Sequence, residues 1–522
     1  MKKIAIIILG ILFATACSEN FISLDPPSNL SSSGFYKTQV DINQAVLSAY
    51  GGLSLLYNGT AYRLGEIRSD NTGWSWLPGN PEYQKEIDEY ATPLLPDNGY
   101  VEDCWDDCYR IILRSNIVIG RAPDAEFKNE DLRNQYIAEA KFIRALMYFW
   151  LNRVFGGVDL NNQLSGVIKV ETEINPTKAY ELGRAPLEEI YGLIIEDLKF
   201  AEQYLPSQYS SADKGRVTKG GATGLLGKVY MTMAGFPLNK GNEYYSLAIQ
   251  KFESLVNNAQ YSLVPSYKNL FDVSNKNTSE SLFEIQYKKG SPGGETGSPW
   301  NNSFAPRFSD KEVVLVGNKG GANAPTGDMS NIYEIGDPRK YVSMSDGWIS
   351  IATGAFQNDK YVRKYYDVAT SDDDNGNNWI ELRLADIYLL YSEALVRVGG
   401  NKITALTYLN KIRERARNTQ GDPNVEAPAD LLKDYTLGDF ANDVAFLTAI
   451  EKERRVELAF ENHRWFDLVR TGRAKNAMIA EQTADGYPPF NWDDKMLTYP
   501  IPMTVMQSNP GKIIQNKGYT QL

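Results

Sequence analysis

"KGGATGLLGKVYMTMAGFPLNKGNEYYSLAIQKFESLV", residues 219–256, decides the fold. It reads as two helices, about Lys219 to Ala234 and Tyr244 to Asn257, separated by a Gly/Pro/Asn-rich turn that breaks helical periodicity. Gly227 is followed three residues later by Tyr230; the second helix carries Ala248, Phe252 and Leu255. The small residue lets two helix axes approach, and the bulky ones fill the groove between them. This spacing matches the helical hairpin of tetratricopeptide repeats.

Fainter copies flank it. Ala145 and Tyr148 fall in a predicted helix from Leu132 to Phe155. Ile194, Leu198, Ala201 and Pro206 continue the pattern in and just beyond another, Pro186 to Tyr204. Ala405, Leu409 and Ile412 repeat its second half between Ile403 and Arg417. Further helices are predicted over Ile380 to Val398 and Phe446 to Val469, paired by short joins. The fold class is therefore mainly α: a tetratricopeptide-like helical-hairpin scaffold with long irregular loops and minor β structure. Residues 258–379 differ, with short β-like runs such as "SLFEIQYKK" and Gly/Pro-rich segments such as "GSPGGETGSPW". Loops of that length in a compact protein usually carry function.

Of the 522 residues, 43% are hydrophobic, enough for a large core, and 12% are aromatic. A net charge of -11 argues against nucleic-acid binding, which needs a basic surface. Lys2 and Lys3 precede an apolar run from Ile4 to Ala14 that is too short to span a bilayer, then "ATAC" ending at Cys17. This is a secretory signal with a lipobox-like end, although Ala14 stands where Leu is preferred. The expectation is a signal peptide at 1–16 and a lipidated Cys17. A tether follows to residue 35, and one unit covers 36–522. Within that unit, 36–257 is mostly helical scaffold, 258–379 is loop-rich and ligand-facing, and 380–522 holds C-terminal helices and a closing segment.

Cys104 and Cys108 lie one helical turn apart. A disulfide there would be strained and a metal would lack ligands, since His463 is the sole histidine; two packing residues are the simpler reading. "SDDDNGNNW" (371–379) fails as an EF-hand loop, which would need acids where Ser371 and Leu382 stand. It reads as a solvated turn, with an irregular structural Ca2+ site as the alternative. No cofactor is called for, and no catalytic triad is evident.

Ordered segments carry a resemblance to one family. "AEAKFIRALMYFWLNRVFGGVDL" (138–160), "GRVTKGGATGLLGKVYM" (215–231), "RLADIYLLYSEALVRVGG" (383–400), "IEKERRVELAFENHRWFDLVRTG" (450–472) and the ending "YPIPMTVMQSNPGKIIQNKGY" together resemble the SusD/RagB family of outer-membrane nutrient-binding lipoproteins of Bacteroidetes. The resemblance implies a non-enzymatic protein on the outer face of the outer membrane, held by its lipid anchor. It would capture oligosaccharide, or in some branches peptides, and act as the lid of a SusC-like TonB-dependent β-barrel transporter. A tetratricopeptide assembly factor without ligand is a third reading. The charged residues of 451–464 fall three and four apart, which favours intrahelical ion pairs.

The ligand surface is expected in "SDNTGWSWLPGN" (69–80). Indole faces stack on the apolar C–H faces of sugars, and Trp74 and Trp76 resemble a Trp-x-Trp pair of a starch-binding member. Arg68, Asp70, Asn71 and Asn80 are the nearby hydrogen-bonding candidates. Trp300 and Trp348 are the candidates from the second half. The alternatives for Trp74 and Trp76 are packing onto the protein or facing the barrel. Trp105, Trp150 and Trp465 belong to the core by pattern, and packing also suits Trp379.

Overall fold

The computed structural model describes residues 35–74, 82–159, 165–290, 296–314, 320–367, 371 and 373–521. The 219–256 stretch forms the expected hairpin, with helices Lys219–Ala234 and Asn242–Val256. A Cβ placed on Gly227 would lie 2.4 Å from Phe252 Cε1, so only glycine permits this approach. The turn uses left-handed backbone at Asn239 and at Gly241.

Among the described residues, nine helices form the scaffold: α1 Gln39–Gly59, α2 Gly99–Arg121, α3 Glu130–Phe155, α4 Leu187–Tyr204, α5 Lys219–Ala234, α6 Asn242–Val256, α7 Leu384–Arg397, α8 Lys402–Arg417 and α9 Asp443–Glu457. From α1 to α8 each packs on the next, and α9 packs on α7. Their starts are locally encoded. Thr38 and Asp41 form a reciprocal capping box on α1, while Asn98, Asn129 and Asn401 cap α2, α3 and α8. Ala145, Tyr148, Ile194, Leu198, Ala201, Ala405, Leu409 and Ile412 are all fully buried, as the repeat spacing predicts. Trp105, Trp150 and Trp465 are core residues, and Cys104 and Cys108 are buried free thiols.

Two expected helices are interrupted. Residues 379–383 form a strand, Trp379–Arg383, antiparallel to Ser281–Ile285, so the helix begins only at Leu384. The predicted helix 446–469 ends at Glu457 and resumes as Arg464–Arg470. Between them Phe460 and Asn462 take positive φ, +67° and +62°. The cause is a buried ionic network. Glu461 meets Arg383 and Lys364, each at 2.8 Å, and Glu457 meets Arg383 at 2.7 Å and also Arg415. The expected intrahelical pairs of 451–464 are therefore corrected. Arg454 pairs with Asp386, Arg455 with Asp328, and Arg464 with Asp70. These buried charges gain more from partners brought by other elements than from water-exposed neighbours on one helix.

The region 258–379 is built of short helices and two-stranded ladders, including Met344–Ser345 with Tyr361–Val362 and Trp348–Ile349 with Phe356–Gln357. In the 371–379 turn, Asp374 is buried and its carboxylate accepts the Gly290 N–H. Among the described residues no group of three or more His, Cys, Asp or Glu side chains is placed to hold a metal ion. Nor is any helix among them long and apolar enough to cross a membrane.

Candidate functional site

The segment 68–74 leaves the scaffold after a π-helical turn, Arg63–Ile67, and pairs Thr72–Gly73 with Ala324–Pro325. Its first residues are anchored inward. Arg464 grips both oxygens of Asp70 at 2.7 Å. Burial opposes ionisation of Asp70, but Arg464 and Arg455 outweigh it and hold the carboxyl at about 2. Asn71 donates to Glu66 and accepts from Arg455 Nε at 2.9 Å. Thr72 donates to Asn323 at 2.7 Å. Arg68 donates to the Ile87 and Met496 carbonyls and lies 4.1 Å from the Tyr90 ring centre.

Arg68, Asp70 and Asn71 were expected at the ligand surface, and this geometry corrects that. Each is at most 3% exposed; Asp70 and Asn71 fix the base of the loop, and Arg68 contributes only to the wall of a cavity behind it. Trp300 is also corrected: it is 0% exposed, donates Nε1–H to the Tyr57 carbonyl, and packs against Trp379 and Tyr287. Trp348 is buried with Ala305, Val313 and Val314, against which Tyr361 packs. Both rings are packed into the interior, Trp300 among Tyr287, Tyr365 and Trp379 and Trp348 among Ala305, Val313 and Val314. Cys17, Trp76 and Asn80 lie outside the described residues.

Trp74 is different. It is half-buried at the point where the loop leaves the strand pair. Its backbone N–H donates to Asp88 Oδ2 at 3.0 Å and its indole N–H to Glu89 Oε1 at 3.1 Å. The Tyr487 hydroxyl donates to the same Asp88 oxygen at 2.9 Å. Burial pushes Asp88 up to about 8, against the opposing pull of those two donors; Glu89 and Asp485 add to the rise. Burial raises Glu481 to about 9, helped by Asp88. Asp88 and Glu481 thus hold protons at neutral pH, and the indole N–H is held by Glu89.

Past Glu89 the chain reaches Tyr90, whose ring stacks on Trp492 with centres 5.8 Å apart and planes at 19°. Tyr90, Phe490 and Tyr519 line a cavity of about 330 Å³ that has Arg68 in its wall. The volume lies at the lower end of ligand-site sizes. Sequence reasoning missed this wall. Its signal was "GYPPFNWDD" (486–494), which has the same mixture of aromatics with Gly, Pro, Asn and Asp as 69–80.

Comparison with known proteins gives a consistent assignment. Residues 316–519 match a model described as the SusD family, and residues 20–231 match one described as starch-binding, associating with outer membrane. A SusD-like protein of Formosa agariphila is 24% identical over 550 residues, covering 97% of this chain and 96% of that one. A solved SusD superfamily protein from Parabacteroides distasonis is 26% identical with a TM-score of 0.74, covering 92% and 99%. A solved laminarin-binding SusD-like protein is 25% identical with a TM-score of 0.72, covering 93% and 100%. On these matches at both ends of the sequence, together with the shared helical scaffold, the chain belongs to the SusD/RagB family.

Proposed function

We propose that this chain is a non-enzymatic lipoprotein of the outer cell surface. It binds an oligosaccharide and delivers it to a SusC-like TonB-dependent barrel, anchored through a lipid on Cys17. The observation that carries the reading is Trp74: a half-exposed indole, fixed at both nitrogens, on a loop whose base is locked by buried ion pairs. A ring held this way binds with little loss of side-chain entropy. The name of the laminarin-binding relative supports a glycan as cargo.

A stacked ring that buries ~80 Å² against sugar contributes ~2 kcal/mol, so two or three rings give ~4–6 kcal/mol before ordering costs. That corresponds to a Kd between about millimolar and tens of micromolar. Weak capture suits a receptor that must release its cargo. Isothermal titration against plant, host and microbial oligosaccharides, with a Trp74→Ala/Trp76→Ala variant alongside, tests the reading. Binding lost in the folded variant supports it. Binding of oligopeptides with silence toward every glycan would replace the cargo.

A further inference from the structure

The cavity beside Tyr90 carries a charge that the fold does not neutralise. Most buried cations among the described residues are paired: Arg144, Arg339, Arg383, Arg454, Arg464 and Arg470 each meet an Asp or Glu at 2.7 or 2.8 Å. Arg184 has no carboxylate but spends its guanidinium on four backbone carbonyls and Asn516. Arg68 is 2% exposed, bonds only the carbonyls of Ile87 and Met496, and keeps a buried Nε without a hydrogen-bond partner. No carboxylate of the described residues lies within ion-pair distance of it. Its charge rests instead against the Tyr90, Trp465 and Tyr499 rings, 4.1, 5.6 and 5.7 Å from their centres, and still favours an anion in the cavity.

The wall that Arg68 helps form also contains Lys495, whose Nζ reaches only the Gly518 carbonyl, at 3.2 Å, besides facing the Tyr519 ring. No Asp or Glu lines this cavity, although acids outnumber bases in the chain, 65 to 54. Another cavity, of about 300 Å³, is unlike it. Its arginine, Arg216, is already paired with Glu139 at 3.0 Å. Phe490, half-exposed in this wall, supplies an apolar aromatic face for a sugar ring, and Asn491 supplies an amide at the rim.

We propose that this cavity is a subsite for an acidic sugar unit: Lys495 meets its anionic group, the buried charge of Arg68 in the wall favours that group from behind, and Phe490 stacks on its ring. The shared chemistry is a ring bearing a fixed negative charge, either a uronate carboxylate or a sulfate ester. The inference rests on the glycan reading and adds charge selectivity to it.

The test uses the full-length chain in detergent, with D-glucuronate, D-glucose 6-sulfate and D-glucose as probes. Saturation-transfer NMR titrations run to ~50 mM, above the millimolar Kd expected of one sugar unit. Glucuronate, glucose 6-sulfate or both should bind at least tenfold tighter than glucose, and the two arms tell carboxylate from sulfate. Lys495→Ala should weaken that binding by about tenfold, the size of one charge-assisted hydrogen bond. Phe490→Ala, at a half-exposed position, should weaken it without unfolding the chain. Equal binding of glucose, no binding of either acid, or acid binding lost in Trp74→Ala but kept in Lys495→Ala would each overturn the proposal. If neutral oligosaccharides still bind at Trp74 in those cases, only this inference fails. If no saccharide binds anywhere, the glycan reading fails with it.

Discussion

Asp88→Asn should stabilise the protein, and more so as pH rises. Asp88 is fully buried, and its carboxyl is raised from 3.8 to about 8. An acid whose folded pKa is raised holds a proton that the unfolded chain has already lost. Stability therefore falls as pH climbs from about 4 and levels off only above about 8. Roughly four pKa units at 1.36 kcal/mol each set a ceiling of ~5–6 kcal/mol. Relaxation and water entry reduce this, so ~2–3 kcal/mol is the working figure. Asparagine can still accept the Trp74 N–H and the Tyr487 O–H while carrying no charge. For a chain of this length ~1 kcal/mol shifts Tm by ~1 °C, so the variant should melt ~2–3 °C higher at pH 8. Scanning calorimetry of both proteins from pH 4 to 9 reads this directly. The two should coincide near pH 4 and diverge with rising pH. A constant difference between pH 5 and 8, or a wild type more stable at pH 8, would refute the burial argument.

Gly227→Ala should destabilise by about 1–3 kcal/mol despite alanine's better helix propensity, because the new Cβ meets the buried Phe252 ring. An unchanged urea midpoint would show that the helices can move apart. Glu457→Gln leaves Arg383, Arg415 and Arg339 short of one counter-charge in the core and should cost ~3–5 kcal/mol by chemical unfolding. A neutral result would mean that water enters the network. Cys104 and Cys108 should resist thiol reagents in the native protein and react as two thiols per chain after unfolding. Native labelling would contradict their burial.

The helical scaffold was legible because its causes are local. Gly227 and Phe252, the Thr38–Asp41 cap and the apolar periodicity of 132–155 all lie within one or two helices. The strand at 379–383 was not legible, because its partner is nearly a hundred residues away at Ser281–Ile285. The break at 458–463 was missed for the same reason: Glu461 is turned by Arg383 and Lys364, which sequence spacing does not reveal. At the site, the loop composition around Trp74 marked the segment on which the proposed function rests. Asp70 and Asn71 nonetheless read as ligand donors, because nothing adjacent to them shows that Arg464 and Arg455 fold back to take them. Trp300 misled in the same way, since nothing adjacent to it shows that Tyr287, Tyr365 and Trp379 pack around its ring.

The most direct test of the central claim is a crystal structure of the protein with the tightest-binding oligosaccharide from the titration panel. The account predicts a sugar ring lying flat against the Trp74 indole, with the indole N–H still held by Glu89 and the strand pair unmoved. Sugar bound elsewhere with the Trp74 face left in solvent would contradict it.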